Sequence, residues 1–131
     1  MGQPAAKKGD QVVAVDTHMV MVPMPAPTPT PLPHPFAGVI QGALSGDVKV
    51  MGQPAATVDS TADNTPPHIP TPPGTSFQNP PSNKATIAKG SATVNINGKA
   101  AARMGDPAKT CNDPSDLQAG TVIAAGTVLI G

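Results

Sequence analysis

Gly2-Gln-Pro-Ala-Ala-Lys-Lys-Gly-Asp10 returns as Gly52-Gln-Pro-Ala-Ala-Thr-Val-Asp-Ser60 and once more as Gly98-Lys-Ala-Ala-Ala-Arg-Met-Gly-Asp106. A motif stated three times in 131 residues reads as one domain, residues 1–131, built from three related units. Self-similarity of this kind marks a repeated supersecondary block. The units run over residues 2–51, 52–97 and 98–131, and their number predicts a pseudo-threefold axis.

The flanks of the motif agree with it. Val48-Lys-Val50 stands four residues before Gly52, and Val94-Asn-Ile96 four before Gly98. A serine leads each by three positions, Ser45 and Ser91, and Gly126-Thr-Val-Leu-Ile-Gly131 keeps the same spacing. Alternation of Val or Ile with polar residues is the period of a half-buried strand. A glycine just beyond allows positive φ, so each junction reads as a β-hairpin turn. The fold class is therefore all-β: short strands and hairpins from three units, with proline-rich loops and at most short helices. The best helical windows are residues 36–44 and 113–119, because proline or glycine interrupts nearly every other candidate.

Composition narrows the rest. The chain holds 18 Pro and 13 Gly but only two aromatic residues, Phe36 and Phe77. Its core must then be small Val, Ile, Ala and Met side chains, which predicts added stability from a metal or a partner. Eight basic residues balance eight acidic ones without clusters, so nothing points to nucleic acid. No stretch has the roughly 20 apolar residues a membrane-spanning helix needs. No apolar secretory leader opens the chain, since Lys7-Lys-Gly-Asp10 follows at once. Synthesis in the cytosol, without a signal peptide, is the expectation.

All three histidines and the sole cysteine are placed by the repeat. His18 lies 16 residues after Gly2, His68 lies 16 after Gly52, and Cys111 lies 13 after Gly98 in the shorter third unit. Equivalent positions in three units around an axis converge near it. His34 comes from the long loop of the first unit, within Pro31-Leu-Pro-His-Pro-Phe36. Three imidazoles and one thiolate form a closed tetrahedral set of the kind that holds structural Zn²⁺. A lone surface histidine or a small buried cysteine is the ordinary alternative for any one of the four. The proline runs 23–35 and 66–81 read either as polyproline ligands for an aromatic groove or as rigid surface loops. The histidines inside both runs favour loops.

The chain resembles the PAAR family, named for a Pro-Ala-Ala-Arg motif. The resemblance rests on Gly98-Lys-Ala-Ala-Ala-Arg103-Met-Gly-Asp106, on the two Gly-Gln-Pro-Ala-Ala copies, and on the lead-in from Ser91 to Gly98. It implies a small cone of strands capping the trimeric spike of a contractile injection apparatus, as in type VI secretion or a related phage-tail-like particle. The implied partner is the trimeric spike protein, one copy per trimer. Effector cargo and a transient passage through the target membrane accompany it, and the cone is assembled at the particle tip and delivered with the spike. His18, His34, His68 and Cys111 map onto the family's zinc ligands near the point. Enzyme activity is not expected, because the chain has no Glu to serve as a base and four protein ligands leave zinc no open position. The alternative is a zinc-stabilised, proline-rich recognition or adaptor module.

Overall fold

The structure, a computed structural model, describes residues 2–23 and 26–131; Met1 and, within the first proline run, Met24 and Pro25 lie outside the described residues. The strands in chain order are β1 (Gln3–Pro4), β2 (Gln11–Val22), β3 (Thr28–Gly42), β4 (Lys49–Val50), β5 (Gln53–Pro54), β6 (Thr61–Asn64) and β7 (Ser76–Phe77). They continue as β8 (Lys84–Ile87), β9 (Asn95–Ile96), β10 (Lys99–Ala100), β11 (Pro107–Thr110), β12 (Leu117–Ile123) and β13 (Leu129–Ile130). No helix occurs among the described residues.

Each unit contributes two strands to one barrel. The order is β12-β11-β8-β6-β3-β2, and β12 returns to pair with the start of β2, so the sheet closes on itself there. Below the barrel sit three small two-stranded antiparallel pairs: the hairpins β4–β5 and β9–β10, and β13 with β1. The first two turn through paired positive φ values, Met51 at 51° with Gly52 at 83°, and Asn97 at 51° with Gly98 at 82°. Those are the torsions a two-residue hairpin turn demands. The serines of the lead-in act here as well. Ser45 Oγ accepts the Val48 N–H and Ser91 Oγ accepts the Val94 N–H, both at 3.0 Å.

The Ala-Ala pair is the pivot of the pseudo-threefold. Ala6 N–H donates to the Ala102 carbonyl (2.9 Å), Ala102 N–H to Ala56 (3.0 Å), and Ala56 N–H to Ala6 (3.0 Å), closing a ring of three backbone bonds. A second ring runs outside it: Lys8 N–H to Pro54, Val58 to Ala100 and Met104 to Pro4, all at 2.9 Å. Three backbones meeting this closely leave room for a methyl group and little more, which is why alanine recurs. Ala6, Ala56 and Ala102 join the barrel core with Val12, Phe36, Ile40 and Val122. Ala5, Ala55 and Ala101 face down onto Val50, Ile96 and Ile130 of the base hairpins. The residue three beyond the pair's successor closes each corner: Asp10, Ser60 and Asp106 accept the N–H of Lys7, Thr57 and Arg103. Arg103 adds its guanidinium to Asp106 at 2.9 Å.

Two local expectations are corrected. Residues 36–42 end β3 and residues 113–115 form a bend before β12, so neither is helical. Phe36, Gly38 and Ile40 all point inward, a period of two, and Gly38 and Gly42 weaken any helix. The run 29–35 is strand, not loop. β2 and β3 pair without interruption from Val22↔Thr28 to Gln11↔Val39. In an antiparallel ladder only alternate residues bond a given neighbour. Ala37, of the same parity as Pro29, Pro31, Pro33 and Pro35, directs its N–H to Asn64 Oδ1 and its carbonyl to Thr65, away from β2. Each proline nitrogen therefore lies on the edge that β2 does not use, the one place a strand tolerates proline.

Candidate metal centre

The site is assembled on the inward face of the β2–β3 hairpin. Asp16 and His18 are two apart on β2 and share that face with Val12 and Val20, while His34 stands directly across from Asp16 on β3. The loop after β6 brings in His68, and Cys111 follows the last residue of β11. The three imidazoles pack around one point, with ring centroids 5.0 Å (His18–His68), 5.3 Å (His18–His34) and 5.5 Å (His34–His68) apart. Phe77 of β7 closes over His34 and His18 at 5.3 and 5.7 Å.

Three of the four candidate residues, His18, His68 and Cys111, meet together with one residue that sequence reasoning missed, and His34 packs beside them. Ligand atoms of Asp16, His18, His68 and Cys111 lie within 4.8 Å of one another. His68 Nε2 donates to Asp16 Oδ2 (2.9 Å), the Cys111 thiol reaches the same oxygen (3.5 Å), and Cys111 Sγ lies 3.7 Å from His18 Nε2. Asp16 Oδ1 accepts the Thr110 hydroxyl and, at 3.4 Å, Asn112 Nδ2. His34 stands at the rim of this group with both nitrogens engaged, Nδ1 on the Leu32 carbonyl (2.9 Å) and Nε2 on the Thr71 N–H (3.2 Å). The signal for Asp16 was present: Asp-x-His puts two ligand-type side chains on one face of a strand.

The electrostatics suit a metal. Burial holds the pKa of His18 and His34 below the ordinary value, so both imidazoles are neutral at pH 7, the form that can ligate a metal. Burial and the Asp16 carboxylate push the Cys111 thiol up to about 11. His18 Nδ1 is buried without a hydrogen-bond partner, 3.7 Å from Asp113 Oδ2. An orphaned buried nitrogen costs about 1–3 kcal/mol, and a donor set of imidazole, thiol and carboxylate fits a borderline-soft divalent ion. Metal capture by neutral imidazoles and a protonated thiol releases about one proton per ion at pH 7.5. Titration calorimetry in buffers of different ionisation enthalpy measures that number; a value near zero removes Cys111 from the ligand set.

The pattern that defines the PAAR motif matches residues 31–114 and 77–131, together well over half of the chain. The chain belongs to the PAAR family. No curated protein matches it. PAAR proteins form the spike tip of contractile injection systems, a structural rather than enzymatic role. In this PAAR chain the family's small all-β cone is the closed barrel described above. Among the described residues no helix is long and apolar enough to cross a membrane.

Proposed function

We propose that this PAAR chain caps the trimeric spike of a contractile injection apparatus as a single copy, sharpening it for passage through a target membrane. The observation that supports this is the ring of hydrogen bonds joining Ala6, Ala56 and Ala102. One chain of three units, 2–51, 52–97 and 98–131, thereby matches a partner of three chains, which a single asymmetric domain cannot do. The docking face is the base, where Val48, Met51, Val128 and Leu129 are exposed large apolar residues. Main-chain pairing and apolar contact there depend weakly on salt. Native mass measurement of the complex with the cognate spike reads one copy per trimer; three copies per trimer, or no complex at micromolar concentration, rejects the proposal.

The proposal includes a structural zinc that ties the hairpin of the first unit to the His68 loop and to Cys111, where the small core offers few contacts. His18, His34, His68 and Cys111 hold the ion, and the Asp16 carboxylate with the thiolate neutralises its two charges. A second reading is favoured by one observation. Asp16 Oδ2 already stands beside His68 Nε2 and Cys111 Sγ, whereas His34 must release Thr71 to reach the ion. In that reading Asp16 is the fourth ligand and His34 packs against the shell.

A further inference from the structure

Behind His68 lies a pair of side-chain amides whose polarity the backbone fixes. Asn64, the last residue of β6, is buried, and its Oδ1 accepts the Ala37 N–H at 2.9 Å. A backbone N–H can only donate, so the amide oxygen faces β3 and the NH₂ group faces the His68 loop. That NH₂ group has two neighbours, His68 Nδ1 at 3.2 Å and Asn83 Oδ1 at 3.4 Å. Asn83 is fixed in the same manner. Its Oδ1 accepts the His68 N–H at 2.7 Å, and its Nδ2 donates to the Pro81 carbonyl at 3.3 Å. The Asn83 carbonyl also accepts the Asn64 N–H at 2.8 Å. Turning the Asn64 amide would set its NH₂ against the Ala37 N–H and its oxygen against Asn83 Oδ1. Two mismatches oppose the turn.

This polarity reaches the imidazole. A neutral ring carries one proton, and a nitrogen that faces a donor must be the one without it. His68 Nδ1 faces Asn64 Nδ2, so the proton sits on Nε2 and is donated to Asp16 Oδ2 at 2.9 Å. On the side of the metal centre, His68 thus offers an N–H and not a lone pair. A ligating histidine normally has the reverse arrangement, with its outer N–H donated to a carboxylate or carbonyl oxygen. Asn64 places a donor where that arrangement needs an acceptor.

We propose that Asn64 is a positioning residue that holds His68 back from the metal by fixing its proton on Nε2. Capture moves that proton to Nδ1, and the Asn64 amide must turn and give up the Ala37 N–H to receive it. The inference rests on the zinc reading and names the residue that sets how tightly the centre holds its ion. Nitrogen-15 spectra of the whole chain read the tautomer directly, a property that a merely structural asparagine would not set. The metal-free parent shows His68 with the proton on Nε2. The zinc-loaded parent shows it on Nδ1, with faster hydrogen exchange at the Ala37 amide. Asn64→Asp keeps an acceptor for the Ala37 N–H but removes the donor facing the ring. In that variant Nδ1 is protonated before metal is added, and zinc affinity by chelator competition rises about tenfold, the effect of an outer-shell acceptor. The comparison within the parent needs no substitution and stands if the variant does not fold. A proton on Nδ1 in the metal-free parent overturns the proposal, as does an Asn64→Asp protein with the parent's tautomer or affinity. A parent that takes up no zinc rejects the zinc reading, and the tautomer of its His68 decides the role of Asn64 separately.

Discussion

Cys111→Ser is expected to lose its stoichiometric zinc and to melt at least about 15 °C below the parent protein. Structural zinc contributes on the order of 10 kcal/mol to the folding of small domains. At about 4 °C per kcal/mol for a chain of this size, even a partial loss is large. The parent should return about one zinc per chain by elemental analysis. Two further variants separate the alternatives for the fourth ligand. If His34 ligates, His34→Asn loses the metal, while Asp16→Asn keeps it with affinity reduced about 10- to 100-fold, the usual cost of a lost outer-shell partner. If Asp16 ligates, the pattern inverts, and X-ray absorption reports two nitrogens, one oxygen and one sulfur instead of three nitrogens and one sulfur. A metal-free parent and a Cys111→Ser variant with unchanged melting would remove the metal from the account altogether.

The second large effect lies in the alanine ring. Ala102→Leu should cost at least about 3 kcal/mol and leave the protein largely unfolded when combined with metal removal. Ala102 is fully buried, and its N–H and carbonyl are both members of the three-membered ring. Added methylenes in a well-packed core typically cost about 1–3 kcal/mol, and here they also force apart backbones held at 2.9 and 3.0 Å. Ala119→Leu, on the exposed outer face of β12, is the control and should melt with the parent. Thermal melts of the zinc-saturated proteins decide it. An Ala102→Leu protein within about 2 °C of the parent would mean that the alanines recur for some reason other than space.

Asp16 was hidden for a definable reason. A single aspartate in a strand pattern normally marks the solvent face, and Asp16 gains its meaning only from Thr110, His68 and Cys111, all three from the other units. The prolines of β3 misled for a related reason. Pro-x-Pro-x-Pro has the period of a strand, but proline argues against one unless the edge it occupies is unpaired. That edge is known only once β6 is seen to stop pairing at residue 38. The windows 36–44 and 113–119 were only the least interrupted ones, since they still hold Gly38, Gly42 and Pro114, and ranking windows by such breakers is a purely local test.

What the sequence by itself determined is whatever recurs or depends on local backbone chemistry. The three copies of the alanine motif, the serine lead-ins, the hairpin turns at Gly52 and Gly98, and the approach of His18, His68 and Cys111 to one another were legible there. Each repeats a local rule, and repetition around an axis brings equivalent residues together without further information. The tertiary structure alone decided the closure of β12 on β2, the free edge that makes a strand of 29–35 possible, and the entry of Asp16 into the metal centre. These depend on which segments face one another across the barrel, and that pairing is set by burial and backbone bonding between residues far apart in the chain.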